Sequence, residues 1–315
     1  MAKIVSADEA VSHIKDGDVL ALSGFTGAGF CQEIYLALKK RYLETGRPRN
    51  LTLLYAAGQG CNSLERGIDI IAIEGLIGRV ISSHYGLSPG IRRLIVENKV
   101  IAYSLPQGVI SQLFREIAAK RPGLITKVGL YTYVDPRVEG GKANQLTREK
   151  GEDLVKLIEI DGEEYLFYKA IPVDVAIIRG TTADEKGNIS MEREGLTLEN
   201  LSVAQAAKNS GGITIVQVER IAMKNTIPAR MVEIPHIFVD YVVKARPENH
   251  WQTAVEPYNP AISGEIRMPL EMLPRKPLNE RKVVGRRALI ELVKLVKKLG
   301  RPPIVNLGIG MPEEV

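Results

Sequence analysis

The feature that most constrains this chain is a rhythm. Short apolar runs alternate with longer stretches of helical period, and the runs end at glycine, proline or polar turn residues. VDVAIIRG (173–180) is the clearest run, apolar at almost every position. Only a strand covered on both faces reads that way, which points to a parallel sheet. VLALSGF (19–25), LTLLYAA (51–57), RVISSHY (79–85), VIAYSLP (100–106), KVGLYTY (127–133) and ITIVQVERI (213–221) read as further strands.

Between them lie helices. CQEIYLALKKRYLETG (31–46) spaces Ile34, Leu38 and Leu43 on one face and closes at Gly46. Residues 88–99 place Pro89 at a first helical position, and 108–123 and 196–212 repeat the helical spacing. Ser6 and Glu9 form a capping box before the first helix. The fold class expected is therefore α/β, a mainly parallel sheet covered by helices. The order of the strands is not legible.

Two stretches break the rhythm. Residues 136–165 are polar and read as loops or small strands at the edge of the domain. Residues 268–280, with three prolines, read as a linker after a first domain spanning 1–267. An amphipathic helix follows at 281–300, then an apolar run at 304–307 and a glycine turn, Gly308-Ile309-Gly310. Residues 281–315 thus look like the truncated start of a second, similar α/β domain, far below ordinary domain size. An isolated βα edge cannot bury its apolar face, so weak hydrogen-exchange protection is expected at 304–310.

Composition narrows the function. The chain has 315 residues, 42 basic and 37 acidic side chains and a net charge of +5, which suits an anionic substrate without requiring nucleic acid. Cys31 and Cys61 form no CxxC pair, so neither a disulfide framework nor a zinc site is expected. There is no HExxH and no GxSxG. Without a signal core or a run of some 18 apolar residues, a cytoplasmic protein with no membrane partner is expected.

Four loops are candidate sites, because α/β ligands bind beyond the carboxyl ends of strands. Ser23–Gly29 runs into a helix whose start has free N–H groups for an anion. Tyr55–Gly67, Tyr103–Ile110 and Arg179–Ser190 complete the set. Each alone is as readily a plain turn. His84 is the one histidine near a candidate loop, and Trp251 reads as packing.

Taken together, DGDVLALSGFTGAGFCQEI, LTLLYAAGQG, EGLIGRVISSHYG, AYSLPQGVISQLFREIAAKRPG, VDVAIIRGTTADEKGNISMEREGLTLE, AAKNSGGITIVQVERI and VNLGIGMPEEV resemble the family I coenzyme A transferases. The resemblance runs the length of the chain and is nearest to the single-chain acetate/propionate branch. It implies transfer of coenzyme A between short-chain acyl-CoAs and free carboxylates through a glutamyl-CoA thioester. Coenzyme A is then a substrate, and no permanent cofactor or metal is implied. It further implies that Gly24, Phe25 and Thr26 form an oxyanion loop. Gln59, Gly60, Gln107 and Gly108 would face the acyl group or pantetheine. Gly308, Ile309, Gly310, Met311 and Pro312 match a loop that binds coenzyme A. The nucleophilic glutamate would lie beyond the end of this chain, since Glu313 and Glu314 fall on the wrong element. On this reading the chain alone is inactive, needs a C-terminal domain in cis or trans, and forms a homo-oligomer. The rivals are a non-catalytic CoA-binding subunit or fragment, and a sugar-phosphate isomerase or sensor of similar topology.

Overall fold

The computed structural model describes residues 2–308 and 310–315. In chain order its first half comprises β1 (Lys3–Val5), α1 (Ala7–Ser12), β2 (Val19–Leu22), α2 (Gln32–Thr45), β3 (Leu51–Leu54), β4 (Ile77–Ser82), α3 (Pro89–Val96), β5 (Ile101–Ser104), α4 (Gln107–Ala118) and β6 (Gly123–Thr126). There follow α5 (Gln145–Lys150), β7 (Val155–Ile160), β8 (Glu163–Lys169), β9 (Val175–Asp184), β10 (Ile189–Ser190), α6 (Asn200–Ser210), β11 (Ile213–Ala222), β12 (Tyr241–Lys244), α7 (Pro260–Ser263) and α8 (Glu280–Leu299). The elements fall into two compact units, one ending at Ile266 and one from Arg267 to Val315.

The first unit is built on a parallel sheet ordered β1-β12-β11-β9-β2-β3-β4-β5, with β10 antiparallel against β9. All ten residues of β9 are buried, as the unbroken apolar run requires. Two cores sandwich the sheet. One packs α4 and α6 against Ala21, Leu54 and Ile178, and the other packs α1, α2 and α3 against Leu20, Leu53 and Ile177.

From β2 the strands step outward through β3, β4 and β5. The chain then returns to the other side of β2 and steps away through β9, β11 and β12. The strand order therefore reverses between β2 and β9. β9 also outruns its neighbour. Its pairing with β2 ends at Leu22↔Ile177, while its pairing with β11 continues to Asp184↔Ala222. Residues 178–184 thus run up to about 20 Å past the carboxyl end of β2.

Several sequence expectations shift. Residues 127–133 are not a strand. Backbone bonds Leu130 N to Lys127 O (3.2 Å) and Asp135 N to Thr132 O (3.0 Å) fold them into turns, and Asp135 accepts the Tyr131 N–H at 2.9 Å. Gly129 (φ 99°) and Tyr131 (φ 62°) supply the left-handed backbone. The polar excursion after them is more ordered than its composition suggests. It contains α5, and β7 and β8 join β6 in a separate antiparallel sheet ordered β6-β8-β7. The helix expected from 196 starts at Asn200.

In the second unit Asn279 caps α8, its side chain accepting from Lys282 N at 2.9 Å, and Gly300 closes the helix in the left-handed conformation. The strand expected at 304–307 does not form. No helix among the described residues is long and apolar enough to cross a membrane.

Ile177 lies at the centre of the sheet with none of its surface exposed. Its replacement by Ala is expected to cost about 2–5 kcal/mol in urea unfolding. Ile160→Ala, at a position 41% exposed on the small antiparallel sheet, is expected to change stability by no more than about 0.5 kcal/mol.

Candidate functional site

The carboxyl ends of β2 to β5 share one edge, and the loops leaving β2 and β3 lock together there. After β2, Phe25 and Ala28 exchange backbone hydrogen bonds (Phe25 N to Ala28 O 3.0 Å, Ala28 N to Phe25 O 2.9 Å). Thr26 and Gly27 form the tip of this small hairpin. Thr26 has φ 47°, a region unfavourable for a β-branched residue. The second loop holds it there. Thr26 N donates to Gly58 O (2.8 Å), and Gly60 N donates to Thr26 O (3.0 Å).

Gln59, between those glycines, is fully buried beneath Gly24. A Cβ on Gly24 would stand 2.8 Å from Gln59 Cδ, so only glycine fits. The Tyr35 hydroxyl of α2 donates to Gln59 Oε1 at 3.2 Å. A Cβ on Gly60 would stand 2.3 Å from the Leu87 carbonyl. Gly24, Phe25, Thr26, Gln59 and Gly60 are thereby gathered into one cradle.

The other candidates are not part of it. Gln107 and Gly108 are exposed at the start of α4, on the same edge but two strands beyond β3, about 10 Å along the sheet. Gly308, Gly310, Met311 and Pro312 belong to the second unit, where Gly310 has φ 106° and Met311 opens a short 3₁₀ turn. Ile309 lies outside the described residues.

Two donor assignments change. Phe25 N and Thr26 N are occupied by Ala28 O and Gly58 O. Among the described residues the N–H groups of Gly24, Gly27 and Gly29 have no protein acceptor. The start of α2 is not an open anion site either, because Gln217 Oε1 accepts from Glu33 N (3.0 Å) and Ile34 N (3.4 Å).

That glutamine belongs to an arrangement the sequence reading did not reach. Gln217 of β11 and Arg179 of β9 are register partners on the part of the sheet that outruns β2. Arg179 donates to Phe30 O (3.1 Å), His250 O (3.3 Å) and Glu194 Oε2 (2.9 Å). His250 Nε2 lies 3.4 Å from Glu194 Oε1. Gln217 Nε2 reaches Asn249 O at 2.9 Å and His250 Nδ1 at 3.2 Å. Two neighbouring side chains thus tie the end of the glycine hairpin, the start of α2, the segment at 249–250 and the turn at Glu194.

The electrostatics follow from burial. The side chains of Arg179, Glu194 and His250 are each no more than 4% exposed. Burial raises the Glu194 carboxyl, but the Arg179 charge and His250 outweigh it and bring the group down to about 2. Burial, and then the Arg179 charge, hold His250 below its ordinary value. The site therefore contains a buried ion pair beside a neutral imidazole.

Over the hairpin lies the 251–254 segment. Ala28 bridges to Thr253, and the Arg66 guanidinium stacks on Trp251 at 3.9 Å while donating to Ala254 O at 3.1 Å. Trp251 is thus a packing residue. Beside the ion pair lies a cavity of about 420 Å³, lined by Arg193, Glu194, His250, Gln252 and Tyr258 among others, with Arg193 stacked on the Tyr258 ring at 3.6 Å. Among the described residues no group of three or more His, Cys, Asp or Glu could hold a metal.

Residues 4–245 match the family model described as Coenzyme A transferase. The chain is 51% identical over 316 residues to the caffeate CoA-transferase of Acetobacterium woodii, covering 100% of this chain and 58% of that protein. To the acetate CoA-transferase YdiF of Escherichia coli K12 it is 40% identical over 314 residues, covering 99% of this chain and 57% of that protein. The crystal structure of YdiF from E. coli O157:H7 as a thioester complex with CoA superimposes with a TM-score of 0.83 at 41% identity, over 92% of this chain and 55% of that one. The chain thus spans less than two thirds of the length of these relatives.

Glu194→Gln leaves the Arg179 charge buried without a counter-ion and is expected to cost about 3–5 kcal/mol in chemical unfolding. The Arg179→Met/Glu194→Met pair is expected to recover most of that loss. Acid acts through both groups in one direction. Glu194, depressed from 4.5, stabilises fully above that value, and this is lost as pH falls toward about 2. His250, depressed from 6.5, gains a proton on unfolding below that value, which also favours the unfolded chain. Stability should fall steadily from neutral pH to pH ~3, and His250→Asn should flatten the part of the curve just below pH ~6.5.

Proposed function

The chain belongs to the coenzyme A transferase family, and we propose that it forms the first domain of an enzyme moving coenzyme A between short-chain acyl-CoA, such as acetyl-CoA or propionyl-CoA, and free carboxylates. One observation supports this above the rest. The strained Thr26 turn and the Gln59 loop form their cradle at the reversal of strand order between β2 and β9. Open α/β sheets bind ligands at that point.

In the proposed cycle a glutamate carboxylate attacks the acyl-CoA carbonyl. The C–S bond breaks, CoA leaves as the thiolate, and an acyl-glutamyl anhydride remains. The thiolate then attacks the glutamyl carbonyl, the acid departs as its carboxylate, and a glutamyl-CoA thioester forms. An acceptor carboxylate runs the steps in reverse. A carboxylate nucleophile conserves the thioester's free energy, provided water is excluded.

The role proposed for this chain is to receive the acyl group. The free Gly24 N–H is assigned to the carbonyl oxygen that gains negative charge. Gln59 and Gly60 hold the loop from below, and Gln107 and Gly108 border the path to it. Residues 1–267 make the first domain, 268–280 a linker, and 281–315 the opening of a second. That second domain would supply the glutamate, in cis or in trans, and Gly308–Pro312 would bind coenzyme A. The assembled enzyme is proposed to be a cytoplasmic homo-oligomer with no resident cofactor. The relative at 51% identity, a caffeate CoA-transferase, favours a second choice of acid, caffeate.

The test is to incubate the 315-residue chain with acetyl-CoA and either propionate or caffeate, with and without the downstream segment, and to follow new acyl-CoA by mass spectrometry. Product is expected only with the segment present. Product from the chain alone would place the nucleophile within it, and no product under any condition would refute CoA transfer. In the completed enzyme, Gly24→Ala, which drives a methyl into Gln59, is expected to lower kcat about 10²–10³-fold.

A further inference from the structure

Folded proteins keep few buried polar atoms without a partner, because each is costly. Among the described residues such atoms crowd one place. Ser23 Oγ, Tyr55 OH, Gln59 Nε2, Asp69 Oδ2, Ser82 Oγ and Ser83 Oγ are all buried without a protein partner, at the carboxyl ends of β2, β3 and β4 or in the segment after β3.

Four of these lie on the α2 side of the sheet. Leu54 and Ile81 are register partners, so Tyr55 and Ser82 follow as neighbours across the strands. Leu53, Tyr55 and Val80 share the core beneath α2, and the alternation of strand side chains puts Ser82 with Val80. Gln59 is reached from the same side by Tyr35. Asp69 is tied close by. Its Oδ1 accepts from Gly90 N (2.7 Å) and Ile91 N (3.2 Å), while Ser88, two residues earlier, donates to Gln59 O (2.6 Å).

The chemistry of the four atoms is complementary. With Oε1 taken by Tyr35, Gln59 Nε2 is left to donate. Asp69 Oδ2 is left to accept. The hydroxyls of Tyr55 and Ser82 do either. Ser82 is close enough to lower the Tyr55 phenol, but neither hydroxyl has a partner within ordinary hydrogen-bond distance. Burial pushes the Asp69 carboxyl up to about 6 despite its two backbone donors.

The groups are also closed off from solvent. Tyr55, Gln59 and Ser82 have no exposed surface. The backbone on either side of Gln59 is pressed tight, since a Cβ on Gly58 would meet His84 at 2.5 Å and one on Gly60 would meet Leu87 O at 2.3 Å. A water offers the two donors and two acceptors these groups need.

We propose that the carboxyl ends of β3 and β4 enclose a site for ordered water, which carries hydrogen bonds from Gln59 Nε2 and Tyr55 OH to Asp69 Oδ2 and Ser82 Oγ. The proposal stands on the packing of this chain and holds whatever reaction the enzyme performs.

Its test is a high-resolution crystal structure of the chain together with thermal melts of Tyr55→Phe. Solvent density within about 2.7–3.2 Å of Gln59 Nε2, Asp69 Oδ2 and at least one hydroxyl is expected. The variant should melt about 2–4 °C lower, because it takes a partner from the water. A dry contact between Asp69 and Tyr55, with Tyr55→Phe melting at the same temperature or higher, would overturn the proposal, since deleting an unpaired hydroxyl relieves the fold. If Tyr55→Phe does not fold, Ser82→Ala is read by the same sign.

Discussion

A guanidinium withdrawn from water must find its counter-charge and its acceptors inside the protein. Arg179 finds them in segments far apart in the chain: Glu194, Phe30 and His250. A buried ion pair contributes little net stability, since desolvation offsets most of the attraction. What it contributes here is uniqueness. If the hairpin, the Glu194 turn or the segment at 250 moved, a charge or a carbonyl would be left unmatched in a dry interior. Gln217, beside it on β11, extends the constraint to the start of α2. The cradle, locked by its own two loops, is thus also anchored from the adjoining strands.

The sheet makes that possible. β9 and β11 run on past the end of β2, so residues on them stand level with the loop that leaves it. The reversal of strand order at the same place parts the helices to either side and leaves the loop uncovered by its own crossover. Backbone strain at Thr26 is then sustained by the neighbouring loop, whose Gly58 carbonyl and Gly60 amide fit the tip of the hairpin.

Much of this was legible in the sequence, for identifiable reasons. β9 and β11 were found because burial on both faces demands unbroken apolar runs. The glycine loops were found because glycine marks close approach, and Gly24 and Gly60 do press against neighbours. The segment 127–133 misled because alternating apolar and polar residues read as a strand, while its turns depend on Asp135 reaching back to Tyr131. The gathering pair was missed although a signal was present. Arg179 in VDVAIIRG and Gln217 in ITIVQVERI are polar residues inside otherwise apolar strands, and such residues must be satisfied by something distant. Glu194 and His250 carried no local sign of their role.

The crowding around the cradle limits how this site could be altered by evolution. A side chain added at residue 24, 58 or 60 would collide with Gln59, His84 or the Leu87 carbonyl. These positions cannot acquire side chains of their own. Change is left to residues that border open space, such as Arg193 and Tyr258 beside the cavity. A lineage could then vary the lining of that cavity many times over while the glycine framework stayed unchanged.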